Sequence, residues 1–350
     1  MLGRFALVIG SVLFTLAALE IGCRLWRGPA SLFTWSNIVL EDRRATRAAG
    51  AGRLNYDAEL GFVPTPAFTT EGITYDRLGY RVTPPPAGIV LAEPPILIVG
   101  DSYAHGDEVS DRETWAALLQ SLTHRRTVNA GVSGYGLDQI VLRAEQVARE
   151  VDPASIVLVF IAEDLRRSEM KRVWGAEKPY FEPTNGTPVL RNVPVPRAPS
   201  PESTLSLLQH LFGWSVLVDV VFKHKGWQYE WAIDHERVLA RGDGEKLACP
   251  LLQRLSRLGV PTLVAASYDP YVWRDAAYAA EQRRLSMLVL DCAQRAGLGT
   301  LDLFETIDQA VSTLGYQAVF RSSHPGPTGH RLAAEQIGAA LARPYMPPSR

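Results

Sequence analysis

Ser102 follows Ile96-Leu97-Ile98-Val99-Gly100-Asp101, a short apolar run closed by a glycine and an acid. A run of that length, rich in β-branched residues, reads as a buried strand, so the serine stands where the chain leaves a sheet and turns into the next element. A hydroxyl is a weak nucleophile until an adjacent base takes its proton, and histidine is suited to that task near neutral pH. Of the seven histidines, His324 lies in Ser323-His324-Pro325-Gly326-Pro327, a Gly/Pro-rich loop before the last helical pattern. An isolated histidine is ordinarily a cap or a surface residue. A strand-end serine and a terminal-loop histidine at opposite ends of one alternating pattern favour a nucleophile and its base, and with them acyl transfer.

The elements that must bring these two together are legible as alternating apolar runs and helical periodicities. Runs of strand length occur at Ile96–Val99, Thr127–Asn129, Ser155–Ile161, Pro261–Ala266 and Thr300–Leu303. Helical spacing occurs at Thr114–Leu122, Leu137–Arg149, Leu247–Leu258, Ala276–Ala296 and Thr328–Ala342. Such alternation predicts an α/β fold with a five-stranded parallel sheet between two helical layers, because each parallel connection needs a crossover. Ligands of such sheets bind beyond the C-terminal strand ends, where both Ser102 and His324 are expected. Pro84-Pro85-Pro86 and Pro94-Pro95 are expected to break regular structure just before the first strand.

Outside this core the chain changes character. Phe5–Leu19 is apolar without interruption and continues through Ile21, Gly22, Cys23, Leu25 and Trp26, which predicts a transmembrane anchor over 1–27. An uncleaved anchor is preferred to a signal peptide, since Trp26 and Arg27 suit an interfacial boundary and Glu20 spoils a lipoprotein box. Residues 28–54 show no clear periodicity and read as a juxtamembrane linker. The main domain is expected over 55–342, with a β-rich lead-in at 55–95, a Pro-rich insertion at 165–241 and a tail at 343–350. Within the insertion, Thr204–Phe222 is read as a helix packed on the core, or else as a lid beside the site.

Composition narrows the function classes. Lys plus Arg number 36 against 37 Asp plus Glu, and a net charge of −1 offers no long-range attraction for nucleic acid. Cys23, Cys249 and Cys292 lack the spacing of a zinc site or a disulfide framework, and the last two read as small buried hydrophobes. No metal or cofactor is expected.

Gly100-Asp101-Ser102-Tyr103 resembles the first conserved block of the SGNH/GDSL hydrolases, and His324-Pro325 resembles the last. Asn129-Ala130-Gly131-Val132-Ser133-Gly134 resembles the second. The likeness runs from about Asn55 to Leu341 and is greatest to bacterial membrane-anchored members with a Tyr56-Asp57…Leu60-Gly61 lead-in and a Gly79-Tyr80-Arg81 step. The resemblance implies a flavodoxin-like three-layer sandwich, with Ser102 as nucleophile, His324 as base, and the backbone N–H groups of Ser102 and Gly134 as oxyanion donors. It implies an esterase or O-acyltransferase acting on an acyl ester, with polysaccharide as a candidate carrier. A bacterial inner-membrane location with the globular part in the periplasm is implied too, against the excess of arginines that follows the anchor.

Two departures accompany the likeness. The third block usually presents an Asn to the oxyanion, whereas this chain reads Ile161-Ala162-Glu163-Asp164, and a carboxylate donates only when protonated. The acid usually three residues before the histidine is replaced by Arg321, a surface charge or an anchor for an anionic substrate. His324 is then oriented by a backbone carbonyl or by an acid from elsewhere, with Asp269 as candidate. Asp101 and Asn129 read as turn and scaffold residues, and His105 as packing or pocket lining. Together the departures leave open a degenerate SGNH-fold protein that binds glycan or supports polysaccharide assembly.

Overall fold

The computed structural model describes residues 2–184, 186–232 and 242–343. The chain divides into two compact units, one comprising Met1–Ala51, Lys171–Glu177 and Arg197–Val238, the other Gly52–Met170, Lys178–Pro196 and Leu239–Arg350.

The second unit is built on five parallel strands, β1 (Ala92–Gly100), β2 (Arg125–Asn129), β3 (Ser155–Phe160), β4 (Thr262–Ala266) and β5 (Gly299–Asp302). Their spatial order is 2-1-3-4-5, the flavodoxin-like arrangement. Register brings the C-terminal ends level: Gly100 pairs with Val159, Phe160 with Ala266 and Ala266 with Asp302. Leu97, Ile98 and Val99 are wholly buried, as are Ile156–Leu158, so β1 and β3 form the centre of the sheet. The sheet and the anchor-length helix described below agree with the expected fold class. Pro94 and Pro95, expected to precede the strand, lie within β1, where the pairing with β2 shifts register between Ala92 and Ile96. A local irregularity is where a strand tolerates residues without an N–H.

Helices cover the sheet: α1 (Trp115–Thr123), α2 (Leu137–Val151), α3 (Asp243–Ser256), α4 (Ala276–Arg295), α5 (Phe304–Leu314) and α6 (Pro327–Leu341). In α2, Leu137, Ile140, Val141, Ala144 and Val147 are all buried, the i, i+3, i+4 pattern of a helix facing a core. Leu137, Ile140, Val141 and Val147 each contribute on the order of 1.5–3 kcal/mol through burial. α1 packs on α6, and α3 packs on α2 and α4. The α3–α4 contact corrects the reading of its cysteines: Cys249 and Cys292 are joined by a disulfide, their Cα atoms 4.6 Å apart across 43 residues of sequence. Their separation in the chain hid the pairing; the neighbouring helices create it. The lead-in of this unit is two short antiparallel hairpins, Leu54–Asp57 with Gly61–Pro64 and Thr69–Thr70 with Ile73–Thr74.

The first unit begins with a continuous helix, Leu2–Arg27, long and apolar enough from Gly3 onward to cross a membrane. The segment read as an irregular linker contains a helix at Ile38–Gly50 with Val39 and Arg43 buried, started by the Asn37 side chain, which accepts from the Leu40 N–H. Thr204–Phe222 differs from the expected single core helix. It forms two helices, Leu207–Phe212 and Val216–His224, broken at Gly213, and the second packs on Leu2–Arg27 and Ile38–Gly50. Within the expected 165–241 insertion, Lys178–Pro196 groups with the sheet unit instead, as a hairpin of Tyr180–Glu182 with Val189–Arg191. Residues 233–241 of that insertion and 344–350 of the expected tail lie outside the described residues.

Candidate active site

The chain leaves β1 through Gly100, whose φ is +156°, and a Cβ there would lie 2.2 Å from the Val159 carbonyl oxygen and 2.5 Å from the Ala104 Cβ. Only glycine permits so close an approach of the turn to β3. Asp101 follows, fully buried, and its carboxylate accepts from the Tyr103 N–H at 2.8 Å. That bond starts the single helical turn Ser102–His105 and aims Ser102 beyond the sheet edge.

The Ser102 hydroxyl lies 2.9 Å from His324 Nε2. On the other side of the ring, Nδ1 lies 3.1 Å from a carboxylate oxygen of Glu108. A carboxylate only accepts, so Nδ1 carries the ring proton and Nε2 is left to accept from the serine. Glu108, absent from the expected site, is therefore the group that orients His324. Asp269 is not: its carboxylate accepts from the Tyr271 N–H at 2.7 Å and caps the turn Pro270–Trp273. Glu108 also accepts from the Ser322 N–H at 2.9 Å, the Ser322 hydroxyl at 2.8 Å and the Ser323 N–H at 3.2 Å. Partial burial opposes its ionisation, but these donors and His324 outweigh it and hold the carboxyl below the usual range. Its backbone has φ = +68°, an uncommon conformation for a residue with a side chain.

The residues on either side of Glu108 are held by Arg81. Its buried guanidinium donates to the carbonyls of His105 at 3.0 Å and Val109 at 2.6 Å, to Gly106, and to Asp111 Oδ1 at 3.1 Å. One side chain thus braces the loop that runs from the Ser102 turn to Glu108. The histidine loop is fixed separately, by the Tyr103 hydroxyl on the Ser323 carbonyl at 3.1 Å and by the Arg321 N–H on the His324 carbonyl at 3.0 Å. The Arg321 side chain donates to the Glu108 carbonyl, so its position supplies a loop brace where an acid was expected.

His105 is buried, with Nδ1 at 2.6 Å from Asp107 and Nε2 at 2.9 Å from the Tyr75 hydroxyl. Burial lowers its pKa, opposed by Asp107, and its contacts on both ring nitrogens make it a scaffold residue. Asp107 itself is held well below its ordinary value by His105 and Arg53, which outweigh its burial. Arg53 donates to Asp107 at 2.8 Å, and Asp107 accepts from the Ser133 hydroxyl at 2.8 Å. This chain of contacts ties down the residue before Gly134, whose φ of +85° turns the loop after β2. Among the described residues, neither the Ser102 nor the Gly134 N–H donates to a protein acceptor. Asn129 supports the same region, donating to the Ala104 carbonyl at 3.1 Å and accepting from the Gly131 N–H at 3.1 Å.

Beneath Ser102 lies a buried charge cluster. Arg167 Nη1 bridges Asp164 at 2.8 Å and Asp101 at 3.1 Å. Burial raises the pKa of both acids; the Asp101 charge adds to the effect at Asp164, while Arg167 opposes it at both. Asp164 also accepts from the Ile161 N–H at 3.1 Å and so shapes the end of β3 rather than facing a substrate. Glu163, at the place of the expected third oxyanion donor, is paired with Arg166, whose Nε lies 2.9 Å from each carboxylate oxygen. A groove of about 1040 Å³ opens at the opposite edge of the sheet, lined by Arg125, Ser155, Thr262 and Gly299, and contains none of these residues. Among the described residues no three His, Cys, Asp or Glu side chains are grouped to hold a metal ion.

No family model and no curated protein matches the chain. Solved structures do. LAE5, an alpha/beta hydrolase enzyme from the metagenome of Lake Arreo, is 16% identical over 71% of this chain and 95% of its own, with a TM-score of 0.45. Axe2, an acetylxylan esterase from Geobacillus stearothermophilus, is 12% identical over 74% of this chain and 99% of its own, also at 0.45. TesA is 15% identical over 71% and 98%, at 0.42.

Proposed function

We propose that this chain is a membrane-anchored serine ester hydrolase or O-acyltransferase of the SGNH type, with Ser102, His324 and Glu108 as its triad. The observation that carries the reading is the unbroken line of contacts from hydroxyl through imidazole to carboxylate, with Glu108 filling a role the sequence leaves empty. His324 Nε2 takes the Ser102 proton as the oxygen attacks the ester carbonyl, and the N–H groups of Ser102 and Gly134 receive the developing oxyanion. The imidazolium, stabilised by Glu108, then protonates the leaving alcohol, and an acyl-enzyme remains. Water as acceptor completes hydrolysis; a sugar hydroxyl completes transfer. With Glu163 paired to Arg166, the third donor of the family pattern is missing, which costs roughly a hundredfold in turnover.

The substrate is read as a short acyl group on a glycan or another envelope component. The disulfide between Cys249 and Cys292 supports a periplasmic globular part, because such bonds persist in oxidising compartments and are rare in the cytosol. A fluorophosphonate probe tests the reading directly: wild-type protein is labelled and Ser102→Ala is not. Absence of labelling in both favours instead the degenerate glycan-binding protein, for which the Glu163–Arg166 pair is the supporting observation. Acetyl esters are expected to be cleaved faster than long acyl esters, and the reverse preference overturns the short-chain assignment.

A further inference from the structure

The helix Leu207–Phe212 is built inside out for a protein in water. Its polar Gln209 is buried, donating to the Trp231 carbonyl at 2.8 Å, while Leu207, Leu208, Leu211 and Phe212 are exposed. Each exposed leucine forgoes part of the roughly 1.5–3 kcal/mol that full burial would contribute. The aromatic residues beside it continue the same surface. Trp214 donates its indole N–H to the Leu211 carbonyl at 2.6 Å, its ring lies 5.6 Å from that of Trp35, and both rings are exposed.

This surface is locked to one end of the helix Leu2–Arg27. Arg24, itself buried, donates to the Ser31 carbonyl at 2.6 Å, the Thr34 carbonyl at 2.7 Å and the Trp214 carbonyl at 2.7 Å, and it lies 3.8 Å over the Trp35 ring. Glu20 accepts from Arg24, from the Ser215 hydroxyl at 2.7 Å and from the Val216 and Leu217 N–H groups at 3.0 and 2.9 Å. A carboxylate inside an apolar helix is costly unless satisfied, and here four donors from two elements satisfy it. The apolar helix has 25 residues from Gly3 to Arg27. That is about 37 Å at 1.5 Å per residue, against about 30 Å of hydrocarbon. The surplus, roughly the last five residues, falls at the headgroup layer and carries Arg24 with everything it holds.

We propose that Trp35, Trp214 and the outward face of Leu207–Phe212 form a second membrane contact, seated in the headgroup layer of the bilayer that Leu2–Arg27 crosses. The inference rests on reading that helix as a membrane span. Continuity with the span selects lipid as the occupant: a surface fixed three residues from the helix end lies within the layer where tryptophan side chains concentrate. An apolar face turned outward beside aromatic residues is what such a layer accommodates.

The test uses full-length protein, with Cys23→Ser as background, reconstituted in phosphatidylcholine vesicles. Nitroxides are attached at Leu13→Cys, Leu207→Cys, Leu211→Cys and Ala45→Cys, and power saturation compares access of oxygen with that of a water-soluble nickel chelate. Leu13 reports the span and Ala45, exposed on the helix Ile38–Gly50, reports water. Positions 207 and 211 are expected to show nickel access severalfold below Ala45 with oxygen access retained. Nickel access equal to Ala45 while Leu13 stays shielded overturns the seat and leaves the anchor standing. Shielding of 207 and 211 from both reagents overturns it in favour of contact between copies of the chain. Nickel reaching Leu13 as well overturns the anchor reading and the seat together.

Discussion

Replacing Glu108 by Gln removes one charge from the site while keeping a side chain of the same shape, and the loss it causes can be bounded from the geometry. The carboxylate lies 3.1 Å from Nδ1 of His324, which in the proposed reaction becomes an imidazolium as Ser102 gives up its proton. Charges about 4 Å apart at an effective dielectric of about 20 attract by about 4 kcal/mol. Glu108 is 27% exposed, so water already screens part of that attraction, and the glutamine carbonyl still accepts a hydrogen bond. A net loss of about 2–3 kcal/mol at the transition state corresponds to roughly a 30- to 150-fold fall in kcat/KM. Hydrolysis of p-nitrophenyl acetate by detergent-solubilised protein at neutral pH measures it, with thermal unfolding as a check on folding and Asp269→Asn as the comparison. A change smaller than about threefold (~0.7 kcal/mol) in Glu108→Gln, with a larger one in Asp269→Asn, refutes the assignment of the acid. A pH dependence accompanies the loss. Because the pKa of Glu108 is depressed on folding, its contribution to stability is present above the ordinary glutamate range and disappears as pH falls through the lowered value. The unfolding free energies of wild type and Glu108→Gln therefore converge in acid.

Three further outcomes are expected. His330, buried with Nδ1 accepting from the Trp115 N–H, is pushed down by burial to about 3. The unfolded chain then binds more protons below the ordinary value of 6.5, and at pH 5 this costs the native state about 2 kcal/mol; His330→Asn should flatten denaturant-measured stability between pH 7 and 5, and an unchanged slope contradicts the buried neutral imidazole. Replacing Cys249 and Cys292 by Ser releases a constraint spanning 43 residues and should lower unfolding free energy by up to about 4 kcal/mol, read by urea titration; equal stability of the double variant and wild type argues against the bond. Arg81→Ala strips four carbonyl and carboxylate partners from the acid loop and should abolish fluorophosphonate labelling of Ser102 or unfold the protein, whereas a folded, normally labelled variant shows that the loop holds itself.

The sheet was readable because its strands are short apolar runs between helical periodicities, a pattern that burial on both faces demands. The meeting of Ser102 with His324 was readable because each stands at a punctuation point, Ser102 after Gly100 and His324 among prolines and glycines. Glu108 was not. Nothing in Asp107-Glu108 distinguishes which acid faces the histidine; the left-handed backbone at 108 and the Arg81 guanidinium decide it, with Asp107 turned to Arg53 and His105 instead. The disulfide was hidden for a similar reason, since only the packing of α3 on α4 brings its halves together. In the N-terminal unit, Glu20 read only as spoiling a lipoprotein box, while three of its donors lie 195 to 197 residues onward in the chain.

Ser102 and Glu108 follow the same strand within seven residues, so two members of the proposed triad are set by one short stretch of backbone. A ribosome delivers that stretch 216 residues before His324, and domains tend to organise from the N-terminus as they emerge. The imidazole arrives only with the last loop. A polypeptide cut between Glu108 and His324 would therefore hold the hydroxyl and the carboxylate without the imidazole that joins them.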